Sequence, residues 1–172
     1  MYVRDPENYE IGVYDPAGEL ERIHRLIRAR RPVASGDVGH YRDWLKTDIE
    51  SPAVLERVLE RLNDRPVADS FPSLEEHFVD ERGDIWVTEY ALPWEEQQTT
   101  AVFAADGPWL GTIELPADFR PLEIGDNYIL GVYTDEHDIQ QLVLYEALNE
   151  NPGEPRARRR WRPQPVAVAA AG

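Results

Sequence analysis

The chain has 172 residues, of which 42% are hydrophobic and 10% aromatic, so it can bury the core of one modest domain and is not globally disordered. It contains no cysteine, which excludes disulfides, thiolate metal sites and a cysteine nucleophile. Its net charge of −15 argues against nucleic-acid binding by the folded part, because an acidic body repels phosphate backbones.

The first predicted element is a hairpin made by residues 9–15 and 20–28. It contains a five-residue pattern at 14–18, in which an apolar strand end, a short polar turn and a glycine precede a new apolar strand. The pattern recurs at 79–83 and 103–107, and glycine suits its last position because it adopts positive φ without a steric penalty. Three such repeats predict a modular antiparallel protein.

Residues 35–66 are predicted to form a helical pair inserted between the β segments. Asp37 is the predicted N-cap of the first helix, and apolar residues follow it at helical spacing. Ser51 is the predicted N-cap of the second helix, with Pro52 as its first residue. This second helix has one apolar and one charged face, as expected of a helix that packs on one side.

From Leu74 onward the pattern returns to strands separated by turn signals. The predicted strands are 74–80, 84–91, 99–104, 109–115, 120–125, 127–134 and 139–147. With the first hairpin they make nine strands, grouped as two, four and three, which predicts a mostly β fold. Gly83 and Gly125 occupy matching places in successive hairpins, and their separation of 42 residues agrees with the roughly 40–45 residues of a four-stranded propeller blade.

The last segment, 151–172, is rich in proline, arginine and alanine and is predicted to be a disordered tail. All 33 acidic residues lie at or before Glu154, whereas five of the 18 basic residues follow it. We expect these arginines to rest on the acidic body, and the alternative is that they bind an anion or a membrane surface. Neither a membrane span nor a signal peptide is predicted, because no apolar run is long enough and the N-terminus lacks a charged region and an apolar core.

Several segments together carry a resemblance to a known family. They are 79–87, 102–107, 110–116, 125–132 and 143–145, together with 9–16. Residues 74–148 are similar to the last blades of bacterial six-bladed β-propellers of the NHL-like type, and 9–16 is similar to the outer hairpin of the preceding blade. The resemblance implies an incomplete propeller of about two blades over residues 1–150, with the helical pair as an insertion between blades.

A whole six-bladed ring needs about 240 residues at the usual blade period, so the resemblance implies the C-terminal third to half of such a protein. The last group of three strands lacks an outer strand, which predicts an open edge on strand 139–147. Exposed edges and bare blade flanks recruit partners, so we expect self-association or a protein partner there; the alternative is a truncated gene product of marginal stability. Full-length proteins of this type are often exported, and the compartment of this chain stays open.

No catalytic, cofactor-binding or metal-binding motif is predicted: the nucleophile elbow, phosphate loop, dinucleotide fingerprint and zinc-protease pattern are all missing from the sequence. The densest set of potential ligands is Asp135, Glu136, His137 and Asp138, whose carboxylates and imidazole could hold a divalent cation. A polar hairpin turn has the same composition. We therefore predict no metal and no cofactor.

Topology predicts an interaction surface instead. In a four-stranded meander, the turn between the second and third strands lies on the same side as the connections between blades. This rule places the helical pair, the loop 91–98 and the turn 135–138 on one side, where binding surfaces are usually built. The residues of the predicted surface are Trp94, Glu95, Glu96, Asp135, Glu136, His137 and Asp138.

Two functions stay open. The first is a non-catalytic β-propeller segment that acts as an interaction or sensor module. The second is a piece of a divalent-cation-dependent propeller hydrolase or lyase. Its central channel would be lined by the innermost strands, which carry Glu75, Glu76, His77 and Glu123.

Overall fold

The computed structural model of the chain describes residues 1–147 and 161–165, which form a mostly β fold with two helices. The strands are β1 (Tyr2–Asp5), β2 (Glu10–Tyr14), β3 (Leu20–Arg25), β4 (Leu74–Val79), β5 (Ile85–Glu89), β6 (Gln97–Phe103), β7 (Trp109–Pro116), β8 (Phe119–Ile124), β9 (Tyr128–Thr134), β10 (Gln140–Ala147) and β11 (Trp161–Pro165). The helices are α1 (Ser35–Asp48) and α2 (Pro52–Asn63). Neither of these two helices is long and apolar enough to cross a membrane.

The described strands form three antiparallel sheets, in each of which consecutive strands are neighbours. Sheet 1 has the order β1-β2-β3, sheet 2 the order β4-β5-β6-β7 and sheet 3 the order β8-β9-β10-β11. No closed barrel forms among these strands. The prediction of a mostly β fold with an inserted helical pair is confirmed, but the strands group as three, four and four rather than two, four and three.

Two strands that the sequence pattern does not predict border sheets 1 and 3. β1 pairs with β2, and β11 pairs with the outer side of β10. Because β11 lies within 151–172, the prediction of a disordered tail is wrong for Trp161–Pro165, and the rest of the tail lies outside the described residues. The open edge predicted on strand 139–147 is also wrong, since β11 covers it.

The recurring turns form as predicted, and the turn 135–139 is a fourth copy of them. In the turn after β4, the amide of Asp80 donates to the carbonyl of Asp84 (3.0 Å), and the amide of Gly83 donates to the carbonyl of Asp80 (2.9 Å). The same two hydrogen bonds occur in 15–19, 104–108 and 135–139. The fourth residue of each turn has positive φ, and these residues are Gly18, Gly83, Gly107 and Asp138.

The three sheets stack face to face, with sheet 2 in the middle. The side chains of strand β5 alternate between the two interfaces: Ile85 and Val87 pack toward sheet 1, whereas Trp86 packs toward sheet 3. Sheet 1 contributes Tyr9 and Ile11 to the first of these two cores. The second core is formed by Trp86, Val102, Ile113, Leu115, Phe119, Ile124 and Ile129, with Tyr133, Val143, Tyr145 and Trp161 packed around it. Both faces of sheet 2 are therefore buried.

The helical pair lies between β3 and β4, as predicted, but its first cap differs. Helix α1 begins at Ser35, and Asp37 lies in its first turn, where its carboxylate accepts a hydrogen bond from the amide of Ala34 (2.8 Å). Helix α2 begins at Pro52, directly after Ser51, although the Ser51 side chain makes no capping hydrogen bond. Asp37 thus stabilises the start of α1 from inside the helix, as an acidic group near a helix N-terminus does.

Candidate functional site

One end of the sheet stack carries the helical pair and the loop between β5 and β6. His40 of α1 packs edge to face on Trp94 of this loop, with ring centroids 5.9 Å apart. Two backbone hydrogen bonds connect this loop to the turn 135–138 through residues 117–118. The amide of Ala117 donates to the carbonyl of Glu96, and the amide of Thr134 donates to the carbonyl of Asp118, both at 3.0 Å. The helices, the β5–β6 loop and the turn 135–138 therefore lie at the same end of the stack.

A cavity of about 390 Å³ opens between the helical pair, the segment 65–72 and the β5–β6 loop. We call it the aromatic cleft, because Tyr41, Phe71, Tyr90 and Trp94 line it. The rings of Phe71 and Tyr90 are stacked, with centroids 5.8 Å apart and an interplanar angle of 17°. Leucine, valine and proline side chains complete much of the lining. The cleft thus offers flat apolar walls that are already packed in place.

Charged side chains also line the aromatic cleft. The lining includes Asp37, Arg42 and Arg65, and the guanidinium of Arg42 donates to the side chain of Asn63 (2.8 Å). Burial raises the pKa of Tyr90, and the neighbouring acidic groups, beginning with Glu75, raise it further. This rise keeps the Tyr90 hydroxyl a hydrogen-bond donor.

A second cavity of about 450 Å³ adjoins the first, and both are lined by Phe71 and Tyr90. We call it the arginine cleft. Arg28 pairs with Glu89 (2.5 Å) and Arg31 pairs with Glu95 (2.7 Å) within it. The guanidinium carbon of Arg31 also lies 5.4 Å from the centre of the Phe71 ring.

Tyr9, directly before β2, contacts two residues that line the arginine cleft. Its hydroxyl donates to Glu89 (3.1 Å), and the guanidinium of Arg28 lies 5.1 Å from the centre of its ring. Burial raises the pKa of Tyr9 well above its ordinary value of 10, and the negative charge of Glu89 adds to the rise. Tyr9 therefore stays a hydrogen-bond donor, and Glu89 holds both it and Arg28 in position.

The predicted residues of the β5–β6 loop have three different roles. Trp94 lines the aromatic cleft. Glu95 accepts hydrogen bonds from the amide of Leu92 (2.7 Å) and from Arg31 (2.7 Å). Burial alone would raise the pKa of Glu95, but these two hydrogen bonds outweigh it and lower the pKa. The backbone carbonyl of Glu96 accepts a hydrogen bond from the amide of Ala117 and so links the loop to residues 117–118.

The predicted residues of the turn 135–138 lie apart from both clefts. The carboxylate of Asp135 accepts hydrogen bonds from the amides of His137 (2.9 Å) and Ile139 (3.0 Å), and these bonds lower its pKa. Glu136, His137 and Asp138 are exposed, with Glu136 and His137 3.8 Å apart. Asp135 thus serves the turn itself, and its neighbours project into solvent.

The acidic residues proposed for a central channel are also separated. Glu75 and Glu76 line a groove of about 180 Å³ together with Arg120, whereas Glu123 accepts a hydrogen bond from the hydroxyl of Tyr128. His77 packs beside the ring of Tyr2, with centroids 6.2 Å apart. Within residues 1–147 and 161–165, no group of three or more histidine, aspartate and glutamate side chains is arranged to hold a metal ion.

Most residues of the two clefts were not predicted from the sequence. Tyr41, Phe71 and Tyr90 come from a helix, a linker and a strand end, so their spacing carries no periodic signal. The usable signal was the two proline-flanked aromatic sites, Phe71-Pro72 and Pro93-Trp94, which mark aromatic side chains held by stiff backbone. Comparisons with protein-family models, with curated proteins and with solved structures find no match to this chain.

Proposed function

We propose that the chain is part of an NHL-like six-bladed β-propeller and acts as a non-catalytic interaction module. The arrangement of the sheets supports the first half of this proposal. Three meander sheets follow one another in chain order and stack face to face, and only residues 117–118 separate the last strand of sheet 2 from the first of sheet 3. Repeated antiparallel meanders that pack on their neighbours are the pattern of propeller blades.

The observation that carries the second half is the aromatic cleft. Its volume of about 390 Å³ lies within the range of about 300–1,000 Å³ that is typical of ligand sites. Tyr41 and Trp94 line it from the inserted helices and from the β5–β6 loop, and tyrosine and tryptophan are the residues most enriched among energetic hot spots of protein interfaces.

The occupant that we propose is a segment of a partner protein that carries apolar or aromatic side chains. Its side chains would pack between the aromatic walls of the cleft. The Tyr90 hydroxyl and the arginines of the lining, Arg42 and Arg65, would bind its polar backbone and acidic groups at the rim. The walls are already ordered by packing, so binding costs little conformational entropy of the protein.

Selection from a random peptide library tests this proposal. Peptides that are enriched on the full chain are titrated calorimetrically against the wild type and against Tyr41→Ala and Trp94→Ala. We expect each substitution to weaken binding by roughly 30-fold or more, because removal of a hot-spot aromatic side chain costs about 2 kcal/mol or more.

Trp109→Ala is the matched control for the loss of a tryptophan. Trp109 is 52% exposed and lies beside the β6–β7 turn, at the opposite end of the stack from the aromatic cleft. Its removal should leave the affinity unchanged. Enriched peptides that bind wild type and Trp94→Ala equally well, or a library that yields no cleft-dependent binder, would contradict the proposal.

A further inference from the structure

The stack of three sheets ends in two faces that have no sheet packed on them within the described residues. One is the face of sheet 1 that points away from sheet 2, which we call the N-face. The other is the face of sheet 3 that points away from sheet 2, which we call the C-face. What covers them follows from a repeated sequence motif and from the way in which the internal faces pack.

The N-face is apolar in the rows nearest the β2–β3 turn, whereas the row at its other end carries Asp5, Glu10 and Arg25, with Arg25 and Glu10 paired at 2.7 Å. Val3, Gly12 and Ile23 lie opposite one another in register, and Tyr14 pairs with Leu20 in the next row. The ring of Tyr14 lies over Gly12, since a Cβ on that glycine would meet a ring carbon at 2.8 Å. Val3, Leu20 and Ile23 are 44%, 50% and 43% exposed, respectively. Val3, Leu20 and Ile23 therefore form an apolar patch in contact with water, bordered on one side by the Arg25–Glu10 ion pair.

The C-face has an apolar centre of similar make-up. Leu142 lies opposite Val132, and Leu144 lies opposite Leu130, on neighbouring strands β10 and β9. These four residues alternate with Ile129, Tyr133, Val143 and Tyr145, which pack toward sheet 2. Leu142 is 37% exposed, and the other three are partly exposed. On the neighbouring strand β8, Arg120 lies opposite Val132 and Glu123 lies opposite Leu130, so the apolar centre is bordered by charged residues.

The second strands of sheets 1 and 3 carry the same sequence motif. Residues 8–14 read Asn-Tyr-Glu-Ile-Gly-Val-Tyr, and residues 127–133 read Asn-Tyr-Ile-Leu-Gly-Val-Tyr. In sheet 1, Tyr9, Ile11 and Val13 of this motif pack against sheet 2. Their counterparts in sheet 3 lie on the C-face and include Leu130 and Val132. A set of side chains that is buried against a neighbouring sheet in one copy of the motif is bare in the other.

The glycine and the last tyrosine of the motif are covered by sheet 2 in sheet 3 and are bare in sheet 1. In sheet 3, Gly131 and Tyr133 lie on the face that packs against sheet 2, and the ring of Phe119 fills the space beside Gly131. Their counterparts in sheet 1, Gly12 and Tyr14, lie on the bare N-face. Each bare face thus carries the residues of a motif whose other copy is covered by a neighbouring sheet, although β2 and β9 run in opposite directions along the stack.

We propose that the C-face of one copy packs against the N-face of a second copy, and that two copies close a ring of six sheets through two such interfaces. Inside the stack, the face of a sheet that points towards the next sheet in chain order (forward) always packs on the face of that next sheet that points back (backward). The C-face points forward and the N-face points backward, so each copy supplies both halves of the missing contact. Head-to-tail contacts of this kind close into rings when the rotation permits. The proposal depends on sheet packing alone and not on what the aromatic cleft binds.

Analytical ultracentrifugation of the full chain, from about 1 to about 100 μM, tests this assembly. We expect the wild type to sediment as a dimer. Ile23→Glu on the N-face and Leu142→Glu on the C-face should each give a folded monomer, because a buried unpaired carboxylate weakens an interface by roughly 100-fold or more. Val54→Glu is the control, since Val54 is 45% exposed on α2 and lies on neither face; this variant should remain dimeric.

A mixture of Ile23→Glu and Leu142→Glu separates head-to-tail packing from like-to-like packing. Each variant alone damages every interface, whereas the mixture allows one intact contact and should form a heterodimer. A monomeric wild type would overturn the proposal. So would a variant pair in which only one substitution dissociates the dimer, or a wild type that grows into longer chains with concentration. Circular dichroism of each variant confirms that loss of the dimer is not loss of the fold.

Discussion

Replacement of Asp80 with alanine should destabilise the fold far more than the same change in an equivalent turn. Asp80 is 7% exposed and occupies the first position of the turn between β4 and β5. One carboxylate oxygen accepts hydrogen bonds from the amides of Arg82 (2.9 Å) and Asp84 (3.0 Å). The other accepts from the indole nitrogen of Trp86 (2.9 Å), whose side chain is only 1% exposed.

The magnitude follows from what each donor loses. The two backbone amides lie at a turn, where water can replace the carboxylate at a small cost. The indole N–H of Trp86 lies in the core between sheets 2 and 3, and a buried donor without a partner costs about 1–3 kcal/mol in addition to the lost charge-assisted bonds. We therefore expect Asp80→Ala to lower the free energy of unfolding by about 3–5 kcal/mol, a large part of the roughly 5–15 kcal/mol typical of a domain.

Asp135→Ala is the matched comparison. Asp135 occupies the same position in its turn and accepts the same two backbone hydrogen bonds, but its turn is exposed and, within residues 1–147 and 161–165, no indole donates to its carboxylate. We expect a loss of stability several times smaller than that of Asp80→Ala. Urea unfolding followed by far-ultraviolet circular dichroism measures both variants without relying on tryptophan fluorescence.

The contribution of the indole is isolated by a double-mutant cycle with Trp86→Phe. Because Asp80 and Trp86 are in direct contact, their substitutions should be non-additive by at least about 1 kcal/mol. Equal losses for Asp80→Ala and Asp135→Ala, together with additive effects of Asp80→Ala and Trp86→Phe, would refute the reasoning.

Three further predictions concern the cores and the added strand. Burial lowers the pKa of His24 below its ordinary 6.5, so stability should be complete above that pH and should fall as the pH drops below it; His24→Gln should flatten this decrease in unfolding experiments across pH 5–7.5. Gly131→Ala should destabilise by about 1–3 kcal/mol or more, because its Cβ would meet an aromatic ring carbon at 2.4 Å, whereas Gly36→Ala, in open space on α1, should raise the unfolding temperature. Trp161→Ala should reduce the protection of the β10 amides in hydrogen exchange, since it removes the side chain that packs against the core between sheets 2 and 3.

The turns were predictable from the sequence because the information that forms them is local. A polar residue, a short loop and a glycine with positive φ fit within five residues, as in 79–83 and 103–107. Helix α2 was predictable for the same reason, since Pro52 and the apolar face mark it without reference to the rest of the fold. The start of α1 was less predictable from the sequence, because an aspartate such as Asp37 stabilises a helix N-terminus from the first turn as well as from the N-cap position.

Strands β1 and β11 were not predictable because their partners define them. β1 has only four residues, two of them charged, and β11 contains Pro163 and Pro165, which argue against a strand in a local interpretation. Pairing with β2 and β10 overrides that preference. The aromatic cleft was hidden in the same way, since Tyr41 and Trp94 are brought together only when the helical pair packs on the β5–β6 loop.

The placement of β11 makes the integrity of sheet 3 sensitive to proteolysis at a distance. β11, which pairs with the outer backbone groups of β10, comes from beyond residue 160. A single cut between 147 and 161 would therefore break the covalent connection between β10 and β11 while leaving them paired. If the released strand then diffused away, the amides and carbonyls of β10 would become a template for strands of other molecules. Nicked preparations should therefore accumulate fibrous or amorphous aggregates, and an excess of a synthetic peptide with the sequence of residues 161–165 and its flanks should delay them.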